Sequence, residues 1–168
     1  EVHEHVWDVG TFGMGAAIED INQDGYLDIY NTSVGRDLLT LGGPGGVYTD
    51  VTMDRGIGHQ WGQVNMRTQW SPSILDLNAD GLLDILIRQG HEGAGMNNLM
   101  PVATDLVYVQ DQQGHFHRGD TPFDPLAPAM GRHAVPCDRD GDGLPDVALG
   151  GMVGSAGYWR NDTELQGD

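Results

Sequence analysis

The chain has no lysine, a single cysteine and no apolar run of membrane length. Each absence narrows its chemistry. Without lysine, all eight basic residues are arginines, set against 25 Asp and Glu, for a formal charge of −17. Nucleic acid and anionic membranes are bound by cationic surface, so neither is expected as a partner. Cys137 alone can build no internal disulfide framework and no multi-thiolate metal site. It sits in an apolar run before an acidic stretch and reads as a buried, unreactive thiol. No stretch approaches the roughly 18 apolar residues of a membrane helix, so the chain is not expected to span a membrane. Sustained helical periodicity is missing, as are a Ser-His-Asp spacing signature, a phosphate loop and a redox motif. "GHEGAGMNN" is glycine-rich but lacks the lysine and helix of a nucleotide loop. A signal peptide is absent and the chain begins at Glu1, which is expected of a processed chain or a fragment.

What is present is glycine, 26 residues of it, and acid in a repeating arrangement. "DINQDGYLDIY" from Asp20 returns as "DLNADGLLDIL" from Asp76 and "DRDGDGLPDVA" from Asp138, at spacings of 56 and 62 residues. A short apolar or small-residue run precedes each copy ("GMGAAIE", "WSPSIL", "GRHAVPC"), and another follows it ("YLDIYNT", "LLDILIR", "LPDVALG"). Too short for helices and bracketed by glycine and proline, these runs read as buried strands. A second strand pair follows in "DLLTLGGPGGVYTDVT", with its turn at Gly42 to Gly46, and in "DLVYVQDQQGHFHRG", with its turn near Gln112 to Gly114. The third unit offers only "AGYWRNDTE" before the chain stops. Segments 56–69 and 90–104, rich in Gly, Asn, Gln and Met, read as loops.

The expected fold is therefore all-β. Three four-stranded antiparallel units, at about 11–55, 67–119 and 130–168, form β-propeller blades in an incomplete ring. Residues 1–9 are expected to add a strand that completes a blade, and 1–168 reads as one propeller segment. Three units cannot close a ring that typically needs four to eight blades. Either a longer protein or a protein partner is expected to supply the rest.

The shared pattern D-x-[DN]-x-D-G-x-x-D offers oxygen donors at positions 1, 3, 5 and 9, and Ca²⁺ takes six to eight oxygens at about 2.3–2.6 Å. Glycine at position 6 allows a tight turn that lets the position-7 carbonyl join them. The candidate ligands are Asp20, Asn22, Asp24, Tyr26 (through its carbonyl) and Asp28 in the first loop. In the second they are Asp76, Asn78, Asp80, Leu82 (carbonyl) and Asp84, and in the third Asp138, Asp140, Asp142, Leu144 (carbonyl) and Asp146. About three Ca²⁺ ions are expected. An EF-hand is excluded, because position 12 holds Asn31, Ile87 and Leu149 where the bidentate Glu belongs. Mg²⁺ rarely uses an all-protein cage, and soft metals want sulfur or imidazole. An acidic turn capped by its own Asx hydrogen bonds is the bland reading of any one loop, and threefold recurrence argues against it.

At these residues the sequence resembles the FG-GAP/VCBS repeat family of calcium-binding propeller blades, also found in integrin α-subunit heads. "GMGAAIEDINQDGYLDIYNTS" with "LLTLGGPGGVYTDVTMDRGIG" is most similar to the cartilage-acidic-protein (ASPIC/UnbV-like) branch. There the loop is followed by a G-x-F-T-D-V-T strand and a glycine, here Gly46 to Thr52 and more weakly Gly114-His115-Phe116. The resemblance implies a secreted, periplasmic or surface protein with calcium in the loops. It also implies a binding or scaffolding role, in a family whose propellers usually carry seven blades in one chain.

Other features carry less. His3/His5 and His115/His117 each sit two apart and could supply half of a zinc site, but surface strand histidines are the commoner meaning. Arg118 to Asp120 spells RGD, an integrin-type tripeptide that chance also produces. Asn31 and Asn161 head glycosylation sequons, and Trp7, Trp61, Trp70 and Trp159 read as inter-blade packing. The function expected is a non-enzymatic calcium-binding module acting as an extracytoplasmic interaction or scaffold subunit. The alternative is a lectin-like or enzymatic propeller with a site in its central channel or top loops.

Overall fold

The computed structural model describes residues 12–57, 68–90, 105–119, 131–151 and 156–163. Their strands form three antiparallel sheets. The first runs β1 (Gly13–Glu19), β2 (Asp28–Ser33), β3 (Leu38–Gly42) and β4 (Tyr48–Asp50), paired in chain order. The second repeats it as β5 (Thr68–Leu75), β6 (Asp84–Gly90), β7 (Leu106–Gln110) and β8 (Phe116–Gly119). The third holds β9 (Gly131–Cys137), β10 (Asp146–Gly151) and β11 (Gly157–Trp159), in the order β11-β10-β9. Strands that pair antiparallel in chain order make each sheet a meander, the form of a propeller blade. The third sheet departs from the four-strand expectation: among the described residues it has three strands, because nothing described follows β11 with a pairing edge.

The core lies between the sheets rather than within one. Tyr30, Leu39 and Ile57 of the first unit meet Ile85, Ile87, Leu106, Tyr108 and Phe116 of the second. On the other side Leu75, Leu77, Leu86 and Val107 meet Ala134, Val147 and Leu149 of the third. β6 is buried along its whole length, since alternate side chains go to the two interfaces. That explains the unbroken apolar run Ile85-Leu86-Ile87. β1 and β9, expected to be buried, are half exposed, because among the described residues each sheet has a neighbouring unit on one side only.

The first strands β1, β5 and β9 lie side by side. Each carries a register shift at the same place, skipping Met14, Trp70 and Arg132 in turn. A bulge turns its residue out of the ladder and sharpens the strand's twist. Two of these residues then meet, the Arg132 guanidinium lying 3.8 Å over the Trp70 ring. Closeness sets the identity of Gly15: a Cβ there would fall 2.3 Å from the Trp70 carbonyl oxygen. Trp159 packs on the second core cluster, so Trp70 and Trp159 both serve inter-unit contact. Trp7, Trp61, His3, His5 and the strand expected in 1–9 lie outside the described residues.

One side expectation is corrected, and two sequence motifs are placed. Cys137 is exposed, not buried, because it faces outward from the last sheet, where no other described unit covers it. Asn161 is fully buried and its amide is engaged within the protein, so it is no glycan acceptor in this fold. Arg118 and Gly119 are part of β8 rather than a loop tip.

Candidate metal centres in the acidic loops

The loops join β1 to β2, β5 to β6 and β9 to β10, and they share one backbone trace. Position 6 has positive φ in all three, at Gly25 (90°), Gly81 (85°) and Gly143 (86°). Position 4 does too, at Gln23 (58°), Ala79 (59°) and Gly141 (78°). A left-handed non-glycine residue costs roughly 1–2 kcal/mol, so two loops hold the fold against that cost. The second left-handed position has no sequence signal in the first two loops, where Gln and Ala stand.

This trace turns backbone N–H groups toward the carboxylates. Asp20 accepts from Asp24 N (2.9 Å) and Gly25 N (2.8 Å), Asp76 from Asp80 N (3.2 Å) and Gly81 N (2.8 Å). Asp138 accepts from Gly141 N (2.7 Å) and Gly143 N (3.1 Å). At position 3, Asn22 and Asn78 each donate through Nδ2 to the position-5 carboxylate, Asp24 or Asp80, at 2.9 Å. Asp24, Asp80 and Asp142 cap the amides of Tyr26, Leu82 and Leu144 at 2.8 to 2.9 Å. Of those position-7 side chains, Tyr26 is exposed, Leu82 half-buried and Leu144 buried.

The position-9 aspartates differ in kind from the rest. Asp28, Asp84 and Asp146 are all fully buried, and both oxygens of each accept backbone N–H groups. One comes from position 2 of the same loop: Ile21 (2.9 Å), Leu77 (3.0 Å) and Arg139 (3.0 Å). The other comes from the end of the third strand or just beyond it: Gly42 (2.8 Å), Gln110 (2.9 Å) and Asn161 (2.9 Å). These residues thus tie the loop to the body of the blade. Burial pushes Asp84 up to about 6, with Asp80 and Asp76 adding like-charge repulsion, and burial raises Asp28 as well. Asp146 is held below the ordinary range by the Tyr158 hydroxyl and the Asn161 amide.

In the third loop, carboxylate oxygens of Asp138, Asp140 and Asp146 all lie within 4.8 Å of one another. It is also the loop with an aspartate at position 3 and with a cation beside it. Arg160 Nε lies 2.8 Å from Asp140 and 3.1 Å from Asp162. The sequence gives no sign of Arg160 beside this loop, because its loop partner Asp140 lies twenty residues upstream.

His115 and His117 flank Asp111 on the β7–β8 turn. His117 Nε2 is 2.6 Å from one oxygen and His115 Nδ1 3.8 Å from the other, and the hydrogen bond from His117 is the chief reason Asp111 falls to about 2. They hold a carboxylate rather than one another.

Residues 76–149, from the first aspartate of the second loop to β10, match the family model of the FG-GAP-like repeat. No curated protein matches the chain.

Proposed function

We propose that the chain is a calcium-stabilised β-propeller segment, an interaction or scaffold module working outside the cytoplasm, whose ring is completed by further blades. The observation that carries the calcium reading is the conformity of the three loops. Each presents hard oxygen donors on a backbone held left-handed at positions 4 and 6. The donor set suits the ion: carboxylate and amide oxygens, without sulfur or imidazole, with three carboxylates of the third loop already converging. Asp20, Asn22, Asp24 and Asp28 would hold one ion with the Tyr26 carbonyl. Asp76, Asn78, Asp80 and Asp84 would hold a second with that of Leu82. Asp138, Asp140, Asp142 and Asp146 would hold a third with that of Leu144. Bound calcium supplies positive charge to clusters that otherwise repel themselves.

The FG-GAP-like match supports an interaction role, and the Gly46 to Thr52 segment supports the ASPIC/UnbV-like branch. In that segment Asp50 caps both the amide (3.0 Å) and the hydroxyl (2.6 Å) of Thr52, and Gly56 follows at φ 81°. The extracytoplasmic setting rests on the resemblance. The test is thermal unfolding in millimolar calcium and in excess EGTA, with calorimetric titration of the stripped protein. We expect the chelator to lower Tm by many degrees and about three ions to bind, since a ligand at 100 times its Kd adds about 2.7 kcal/mol. Superimposable melting curves would refute the reading.

A further inference from the structure

The three units present the same cross-strand row toward the next unit. In the first it is Ala17, Tyr30 and Leu39, and in the second Ser73, Leu86 and Val107. Both rows are covered: Tyr30 and Leu39 lie in the first core cluster, Leu86 and Val107 in the second, and the Ser73 hydroxyl donates to the Ala134 carbonyl at 2.8 Å. In the third unit the row is Val135, Ala148 and Tyr158, and no other described unit covers it: Val135 is 57% exposed, and the Arg139 guanidinium lies 4.5 Å over the Tyr158 ring.

Each covered junction also has a side-chain latch. Gln110 of the second unit donates through Nε2 to the carbonyl of Ile21, position 2 of the first loop, at 3.2 Å. Asn161 of the third unit donates through Nδ2 to the carbonyl of Leu77, position 2 of the second loop, at 3.0 Å. Position 2 of the third loop is Arg139, which is exposed.

We propose that the open face of the third unit docks one further blade of the same repeat, whose third strand ends in Asn or Gln and whose amide latches onto the Arg139 carbonyl. The proposal rests on the propeller reading above and names the partner's chemistry. Continuity with the two formed junctions carries it, since the same register positions and the same loop carbonyl recur. A second copy of this chain fits poorly. Its first unit has Gly42 at the latch position, with no side chain to donate, and a Cβ there would lie 2.3 Å from the Leu27 carbonyl oxygen.

Cys137, two residues beyond Val135 on the same face of β9, is the chain's one thiol and reports on this surface. Its reaction rate with a disulfide reagent is measured first in the chain alone over a wide concentration range. It is then measured in the full chain extended after Asp168 by a second copy of residues 58–119, which brings its own Gln110. We expect a concentration-independent rate in the chain alone and at least tenfold protection in the extended form. Gln110→Gly in the appended copy should restore about fivefold of the rate, the loss expected for one hydrogen bond. An unprotected thiol, whether the appended unit folds or not, overturns the docking face. Equal protection with and without the Gln110 side chain overturns the latch. Protection that grows with concentration in the chain alone overturns the proposal in favour of self-association. The thiol readout reports docking rather than ion binding, so its failure and that of the calcium reading are distinguishable.

Discussion

Asp37 is buried at the junction of the first two units, where it accepts from the Tyr30 hydroxyl at 2.8 Å and the Ser33 amide at 3.0 Å. Its counterpart in the second unit, Asp105, is paired with Arg88, and Asp37 has no such cation among its hydrogen-bond partners. Burial therefore pushes Asp37 up to about 7 from 3.8, against the lowering effect of its hydrogen bonds. Between those values the folded state keeps a proton that the unfolded chain has released. Stability conferred by that proton is fully present below about pH 4 and is lost as pH rises through about 7. At 1.36 kcal/mol per unit of pKa difference, the loss approaches about 4 kcal/mol. Urea unfolding at pH 5 and pH 8 samples about 2.7 kcal/mol of it, the two pH units between 5 and 7, in saturating calcium so that the loop carboxylates stay ionised. Asp37→Asn supplies the control, because the amide can accept from Ser33 N and donate to the Tyr30 hydroxyl oxygen without titrating. We expect the wild type to be weaker at pH 8 by about 2–3 kcal/mol and the variant to be nearly flat across the interval. A wild type equally stable at both pH values, or a variant that keeps the wild-type slope, would refute the assignment.

Other expectations concern the loops and the junctions. Ala79→Gly relieves a left-handed alanine and should stabilise by a few tenths to 1 kcal/mol, after the added freedom of the unfolded chain is subtracted. Gly81→Ala, at φ 85°, should cost about 1–2 kcal/mol. Chemical denaturation of the two variants should therefore move in opposite directions, and a shared sign would contradict the loop conformation. Gln110→Ala removes bonds to two carbonyls, Ile21 at 3.2 Å and Leu83 at 2.7 Å. It should cost about 2–4 kcal/mol in urea unfolding, beyond the usual effect of a surface amide. A cost under about 0.5 kcal/mol would show that the junction does not depend on it.

What the sequence displays is what repeats locally. Apolar runs on either side of "DxNxDG" and "DRDGDG" announce the strands, and the glycine at position 6 announces its turn, because one residue alone determines each. The left-handed position 4 is legible only at Gly141, since Gln23 and Ala79 adopt a conformation that their side chains disfavour. The anchoring work of Asp28, Asp84 and Asp146 is hidden because half of their amide partners lie 14 to 26 residues downstream. Gln110 and Asn161 look like ordinary strand-end amides, and the second even reads as a glycosylation site, until the junction brings each to a carbonyl more than eighty residues upstream. Cys137 reads as buried for the same reason: an apolar run marks a strand, while burial depends on whether a neighbouring unit is there.

The position-9 aspartates and the junction amides join into one path. Asp28 accepts from Ile21 N, the Ile21 carbonyl accepts from the Gln110 side chain, and the Gln110 amide donates to Asp84. Asp84 accepts from Leu77 N, the Leu77 carbonyl accepts from the Asn161 side chain, and the Asn161 amide donates to Asp146. Every unit boundary is crossed through an acidic loop, at the peptide units flanking position 2. Repeat proteins owe their stability to each unit and to its nearest-neighbour interfaces. Here the two contributions share residues, because the carboxylate that would close a cation site also fixes the carbonyl that receives the next blade. Neutralising a loop would thus firm the junction beside it as well as the strand pair it connects. The acidity concentrated in these loops lies where it can act on both.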